Sequence, residues 1–149
     1  LAAELRRGES QVPVQTPTRG SHVLFLDDEG PLVRIATQAL SQLGHTVSGF
    51  VSPAEALRAF AAEPQRYDVV VTDLSMRELS GFELAKRVLA IRPDVPVVMM
   101  SGFVGPDDRT RAHEAGIREL LQKPMTMKAL ALVIERSRGP ALQLESGSR

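Results

Sequence analysis

The chain has 149 residues, 43% of them hydrophobic, which suits one domain with one sizeable core. Lys plus Arg total 18 and Asp plus Glu total 18, so a zero formal net charge gives no electrostatic case for nucleic acid or an anionic membrane. The absence of cysteine excludes disulfides, thiolate metal sites and cysteine nucleophiles, and no apolar run nears the ~20 residues of a membrane span.

The first residues, LAAELRRGES, hold at most a turn of helix in Leu1 to Arg7 and no signal-peptide pattern. With QVPVQTPTRG they read as a linker or flexible arm over residues 1–20, as in a piece of a longer protein. His22 to Leu26 is an apolar run that stops at Asp27-Asp28-Glu29. Gly30-Pro31 opens a helix on which Leu32, Ile35, Ala36, Ala39, Leu40 and Leu43 recur at helical spacing, and Gly44 stops it. Thr46 to Val51 is a short strand. Ser52-Pro53-Ala54-Glu55 then carries N-cap, N1 and N3 signals for a second helix with Ala56, Leu57 and Phe60 inward.

Asp68 leads into Val69-Val70-Val71-Thr72, a β-branched run that resembles a central parallel strand covered on both faces, and the run ends at Asp73. Gly81 to Ile91 is helical, and Arg92-Pro93 breaks it. Val95 to Met100 is a fourth strand, ending at Ser101-Gly102. Pro106 to Ala115 is a polar helix with little apolar face. A fifth strand lies within Gly116 to Leu121 and leads to Gln122-Lys123-Pro124. The last helix, Thr126 to about Ser137, turns Leu130, Val133 and Ile134 inward, and residues 139–149 form a polar tail. Strands alternating with helices predict an α/β fold with a doubly wound five-stranded parallel sheet and five helices.

In such a sheet ligands bind at the carboxyl ends of the strands. Asp27, Asp28, Asp73, Ser101 and Lys123 all fall there. Taken singly, each has a bland reading: a solvated turn for the acidic pair, a turn cap for Asp73, a hydrogen-bonding strand end for Ser101, a loop lysine for Lys123. Together they form a coherent chemical set. Three converging carboxylates raise one another's pKa, and a hard divalent cation removes that cost. Mg²⁺ favours such a set, a few carboxylates and a carbonyl with waters. Asp73 is then an available nucleophile for an aspartyl phosphate, with Lys123 and the Ser101 hydroxyl placed to neutralise phosphoryl oxygens. His22, His45 and His113 have no metal spacing and read as structural or surface residues. Met99-Met100 reads as core, and Arg109 and Arg111 as solvated.

This combination resembles the two-component response-regulator receiver domain: an acidic pair, a strand-end Asp73 followed by Met76 and Gly81, then Ser101-Gly102 and Lys123-Pro124. The resemblance covers about four-fifths of the chain, with the receiver at residues 21–138. It implies a flavodoxin-like sheet of order 2-1-3-4-5. It implies that Asp73 accepts a phosphoryl group from a phosphohistidine, that Asp28, Asp73 and the Ser75 carbonyl hold Mg²⁺ with Asp27 assisting, that Lys123 contacts the phosphoryl group, and that Ser101 turns its hydroxyl toward it. Two positions depart from the family's pattern. Arg77 stands where proline is common, so a looser loop is expected. Leu120 replaces the usual switch aromatic, so a weaker or different surface signal is expected, with Phe103 as a replacement aromatic.

The partners so implied are a histidine kinase, in cis or in trans, or a phosphotransfer protein, with no direct nucleic-acid or membrane contact and a cytoplasmic location even if the parent is membrane-tethered. The short tail leaves no room for an effector domain after the receiver, so the C-terminal receiver of a hybrid histidine kinase is the expected context, ahead of a single-domain regulator. Such a domain catalyses its own phosphorylation without being a turnover enzyme. An Asp-nucleophile phosphohydrolase of the haloacid-dehalogenase type fits less well, because its D-x-D nucleophile follows the first strand and Asp27-Asp28 has no spacer. No phosphate-binding glycine motif follows the first strand. A phosphorylation-independent interaction module is the remaining alternative, and the complete Asp28, Asp73, Ser101 and Lys123 set argues against it.

Overall fold

The apolar runs become strands because helices cover both of their faces. In the computed structural model, which describes residues 20–138, these are β1 (His22–Leu26), β2 (Thr46–Phe50), β3 (Val69–Asp73), β4 (Val97–Ser101) and β5 (Glu119–Gln122). They form one parallel sheet in the order β2-β1-β3-β4-β5, the flavodoxin-like order. Five helices alternate with them: α1 (Gly30–Gln42), α2 (Pro53–Ala62), α3 (Gly81–Ile91), α4 (Asp108–Glu114) and α5 (Met127–Ser137). A short 3₁₀ turn, Pro64–Arg66, leads into β3. The linker and tail expected at the termini lie outside the described residues, apart from Gly20.

Every residue of β3 and β4 is buried, yet successive side chains serve different cores. Val70, Val97, Met99 and Leu24 join Phe60, Leu84, Ala85 and Val88 on the face covered by α2, α3 and α4. Val69, Val71, Val98, Met100 and Phe25 join Val33, Leu40, Leu130 and Ile134 on the face covered by α1 and α5. The period-2 alternation of a strand therefore persists, but both faces are apolar.

The inward stripe of α1 differs from the one its pattern suggests. Val33, Ala36 and Leu40 are buried, whereas Ile35 and Leu43 stay in solvent. The apolar arc of this helix is wider than the stripe the sheet covers. Gly44 takes a left-handed φ of 98° just past the helix, a conformation that costs glycine little. The Ser52 hydroxyl caps α2 by accepting the Glu55 N–H at 3.2 Å, as its spacing predicts. The α4 helix is short and polar, with Ala112 as its buried residue.

Candidate functional site

Parallel register brings the reactive groups to one edge. Leu26 pairs with Thr72, so Asp27 and Asp73 leave adjacent strands at the same height. Asp73 pairs with Met100, and Ser101 pairs with Gln122, which sets Ser101 and Lys123 beside them. Asp27, Asp28 and Asp73 each offer a carboxylate oxygen, and these oxygens all lie within 4.8 Å of one another. Three such oxygens form a donor set for a hard, oxygen-seeking divalent cation rather than for a soft metal.

Lys123 holds this edge together. Its Nζ donates to Asp27 Oδ2 and pairs with Asp73 Oδ1, each at 2.9 Å. The second oxygen of Asp27 accepts the Glu29 N–H at 2.9 Å, so this fully buried carboxylate is satisfied on both sides. Burial raises the Asp73 carboxyl above its ordinary range. The hydrogen bond from Lys123 opposes that, and the charges of Asp27 and Asp28 reinforce it. Burial alone would lower the Lys123 ammonium, but its bonds to Asp73 and Asp27 outweigh this and hold it above its ordinary value. The lysine is thus a charged clamp, and Asp73 is a carboxylate whose charge its surroundings only partly offset. The Lys123–Pro124 bond is cis.

Asp28 is the more open acid. Its Oδ2 accepts the backbone N–H of Arg77 at 3.3 Å. This runs against the looser loop expected at Arg77: proline has no N–H and cannot make this bond. Ser75 lies exposed in the same loop, two residues beyond Asp73. Ser101 does not turn toward the acids. Its hydroxyl donates to the Phe103 carbonyl at 2.6 Å and accepts the Phe103 N–H at 3.2 Å. Leu120 is buried in the core, as its apolar character suggests, and its carbonyl accepts from Arg109 Nη1 at 3.0 Å.

Two arginines read as solvated therefore have partners. Arg109 braces β5, and the Arg111 guanidinium lies 4.1 Å from the centre of the Phe82 ring, a cation–π contact between α4 and α3. Neither pairing has a sequence signal, because each joins residues remote in the chain. The tie from Arg77 to Asp28 is equally silent, since any residue but proline supplies the N–H.

A doubly wound sheet whose carboxyl edge carries an acid cluster clamped by a lysine defines an α/β domain of the receiver class. The chain belongs to the family described as response regulator receiver domain, whose pattern it matches over residues 23–135. Among characterised relatives, it is 35% identical over 115 residues to the DNA-binding transcriptional regulator NtrC of Azospirillum brasilense, covering 77% of this chain and 24% of that protein. It is 31% identical over 140 residues to the gliding motility regulatory protein of Myxococcus xanthus, covering 91% of this chain and 18% of that one. The chain thus spans a quarter or less of these relatives' length.

Solved structures agree with the fold. A response regulator receiver domain protein from Clostridium thermocellum superposes with a TM-score of 0.77 at 29% identity, covering 83% of this chain and 98% of that one. The non-phosphorylated HemR receiver domain from Leptospira biflexa gives 0.74 at 26%, covering 80% and 95%. The function at family level is therefore that of a receiver domain in two-component phosphorelay signalling, which engages a histidine kinase or phosphotransfer partner. Receiver domains bind Mg²⁺ at an acidic pocket, and Asp27, Asp28 and Asp73 form an acidic cluster at this edge. No helix among the described residues is long and apolar enough to cross a membrane.

Proposed function

We propose that residues 21–138 form the receiver unit and that Asp73 is its phosphoacceptor. The observation that carries this is the single Lys123 ammonium bridging Asp73 and the buried Asp27 at 2.9 Å each, beside the open carboxylate of Asp28. An Asp73 oxygen attacks the phosphorus of a phosphohistidine, the P–N bond breaks, and the imidazole leaves with the bonding pair. The product is an acyl phosphate on Asp73 and a free histidine on the partner.

Lys123 is already within reach of Asp73, so its ammonium follows the transferred group by changing acceptor, with little reorganisation. Asp28, Asp73 and the Ser75 carbonyl would hold Mg²⁺, with Asp27 assisting through its fixed orientation. When bound, that ion neutralises the charge that gathers on the phosphoryl oxygens. To bind it, Asp28 gives up or shares the Arg77 N–H. The Ser101 hydroxyl becomes a third donor once it leaves the Phe103 backbone. The charge balance of the chain supports a protein partner for this unit over direct contact with nucleic acid.

The test is phosphorylation with acetyl phosphate, with Mg²⁺ or with chelator, read by intact mass after acid quenching. Wild type is expected to gain one phosphoryl group only with Mg²⁺, and Asp73→Asn none. A wild-type protein that stays unmodified under rapid quenching would instead support an interaction module independent of phosphorylation.

A further inference from the structure

His45 is a buried, titratable side chain that phosphoryl transfer does not use. It sits in the turn from α1 to β2, at the end of the sheet opposite Asp73. Its Nδ1 accepts the Ser21 N–H at 3.1 Å, and the Thr46 N–H donates to the Ser21 carbonyl at 2.9 Å. Both backbone groups of Ser21 are therefore taken by this turn. The Ser21 hydroxyl accepts from Arg138 Nη1, at the end of α5. Gly20, one residue earlier, runs so close to the turn that an added Cβ would sit 1.9 Å from the Gly44 carbonyl oxygen. Ser21 is thus a knot that joins the chain's entry into β1 to the end of α5, and His45 is the titratable group in its backbone bonds.

Two protonation states of this ring make different bonds. To accept at Nδ1, a neutral imidazole carries its hydrogen on Nε2. That Nε2 lies 3.8 Å from Glu135 Oε2 and has no hydrogen-bond partner among the described residues. An imidazolium donates from both nitrogens and accepts at neither, so it would set one N–H against that of Ser21. Burial holds the ring below its ordinary 6.5; Glu135 pulls it up and Arg138 pushes it down, both from α5. From α1 the Leu40 carbonyl takes the His45 backbone N–H at 3.0 Å. The other imidazole nearby, His22 on β1, is engaged with Ser48 and Tyr67.

We propose that His45 is an acid-operated clasp on the chain's entry into the domain: the neutral imidazole holds Ser21, and the imidazolium releases it and pairs with Glu135 instead. The Glu135 side chain is 44% exposed, so it has room to close the 3.8 Å gap. A charge-assisted bond to that carboxylate then replaces the neutral bond to Ser21. Release is local, because the sheet and both cores keep their contacts. With Ser21 loosened, Gly20 lifts from the Gly44 carbonyl and Arg138 loses a fixed acceptor. The entry into β1 and the end of α5 then part, and this requires nothing of Asp73.

The test is amide NMR on the full chain from about pH 7.5 to about pH 5, with hydrogen exchange corrected for its intrinsic pH dependence. The Val70 N–H, which donates to the Pro96 carbonyl at 3.0 Å in the middle of the sheet, reports global opening. Protection of the Ser21 amide is expected to fall about tenfold along the titration of the His45 ring, while Val70 stays protected. His45→Asn keeps an acceptor with no proton to gain, so Ser21 should stay protected across the range. Glu135→Gln removes the charge that favours imidazolium and should move the release to lower pH. A Ser21 amide that follows Val70, or is still protected at about pH 5, overturns the clasp. So does an equal fall in His45→Asn, which would assign the acid response to His22.

Discussion

Lys123 decides how the acid edge bears its own charge. Asp27 is fully buried and Asp73 nearly so, and their shared cation is only a quarter exposed. Lys123→Met leaves two buried carboxylates facing each other without it. Breaking a buried pair in this way costs about 3–5 kcal/mol, and partial exposure of the lysine puts this case at the low end. The sign with pH follows from Asp73, whose carboxyl burial already raises and Lys123 pulls back. Without the lysine it rises further, so the extra instability is present above that folded pKa and fades as pH falls through it. Urea unfolding in chelator should show a deficit in Lys123→Met that shrinks toward acid and that added Mg²⁺ narrows. A deficit independent of pH would point to lost packing by the lysine stem. Gly81 is the other decisive residue. A Cβ there would come within 2.5 Å of the Asp73 carbonyl oxygen and 2.9 Å of Leu74 Cα. Gly81→Ala should therefore displace the nucleophile's backbone, destabilise by about 1–3 kcal/mol as overpacking does, and slow acetyl phosphate transfer measured by mass. At this scale Asp27, Asp28, Asp73 and Lys123 were legible because each ends an apolar run, and parallel register aligns run ends. The bonds of Ser101 to the Phe103 backbone were not, because a hydroxyl that bonds its own loop looks in sequence like one free to turn.

Among the elements, the helix caps separate what holds the fold from what holds the site. Ser52 caps α2 through the Glu55 N–H, and Ser80 caps α3 through the Glu83 N–H at 3.1 Å. Both are serines at equivalent positions, and loss of either hydroxyl should cost about 1 kcal/mol of stability. Of these two helices, α3 is the one tied to the loop after the nucleophile: its Gly81 N–H donates to the Leu74 carbonyl at 2.8 Å, one residue past Asp73. Ser80→Ala is therefore expected to slow Asp73 phosphorylation, while Ser52→Ala at equal loss of urea midpoint leaves the rate unchanged. Equal rates in the two variants would show that the first turn of α3 does not position the nucleophile. The Ser52 cap was read from the sequence, since a serine three residues before Glu, at the head of an apolar helix, is a local signal; Ser80 before Glu83 carries the same signal and was passed over. The buried stripe of α1 was less so. Its apolar arc includes Ile35 and Leu43, and only the sheet beneath decides which part of that arc it covers. The polar character of α4 was plain, but its tether through Arg111 to Phe82 depends on how α3 and α4 lie together, which no local pattern encodes.

For the molecule as a whole, the histidines set how stability responds to acid, at the end of the sheet away from the site. His45 is 5% exposed, and its Nδ1 accepts the Ser21 N–H at 3.1 Å. Its Nε2 lies 3.8 Å from Glu135 Oε2 on α5 and has no hydrogen-bond partner among the described residues. Burial lowers this imidazole below its ordinary 6.5, more than the Glu135 charge raises it, and the charge of Arg138 lowers it further. His22 is lowered in the same direction, by burial and then by Arg66, against Asp68 and Glu63. In both cases the unfolded chain binds the proton more readily than the folded one. Their contribution is therefore intact above the unfolded pKa of 6.5 and is lost as pH falls through it. The urea midpoint should drop between about pH 7.5 and about pH 5.5. His45→Asn keeps an acceptor near the Nδ1 position but cannot take up a proton, so it should flatten that drop by removing one of the two contributions. Asp73 has the opposite sign: burial raises its carboxyl, so its ionised form costs stability at neutral pH. Asp73→Asn should accordingly raise the midpoint at about pH 7.5 in chelator, and Mg²⁺ should stabilise wild type more than the variant. An acid drop unchanged in His45→Asn would assign it to His22, since Asp73 titrates with the opposite sign. An Asp73→Asn protein no more stable than wild type would mean that Lys123 fully offsets the burial of this carboxylate.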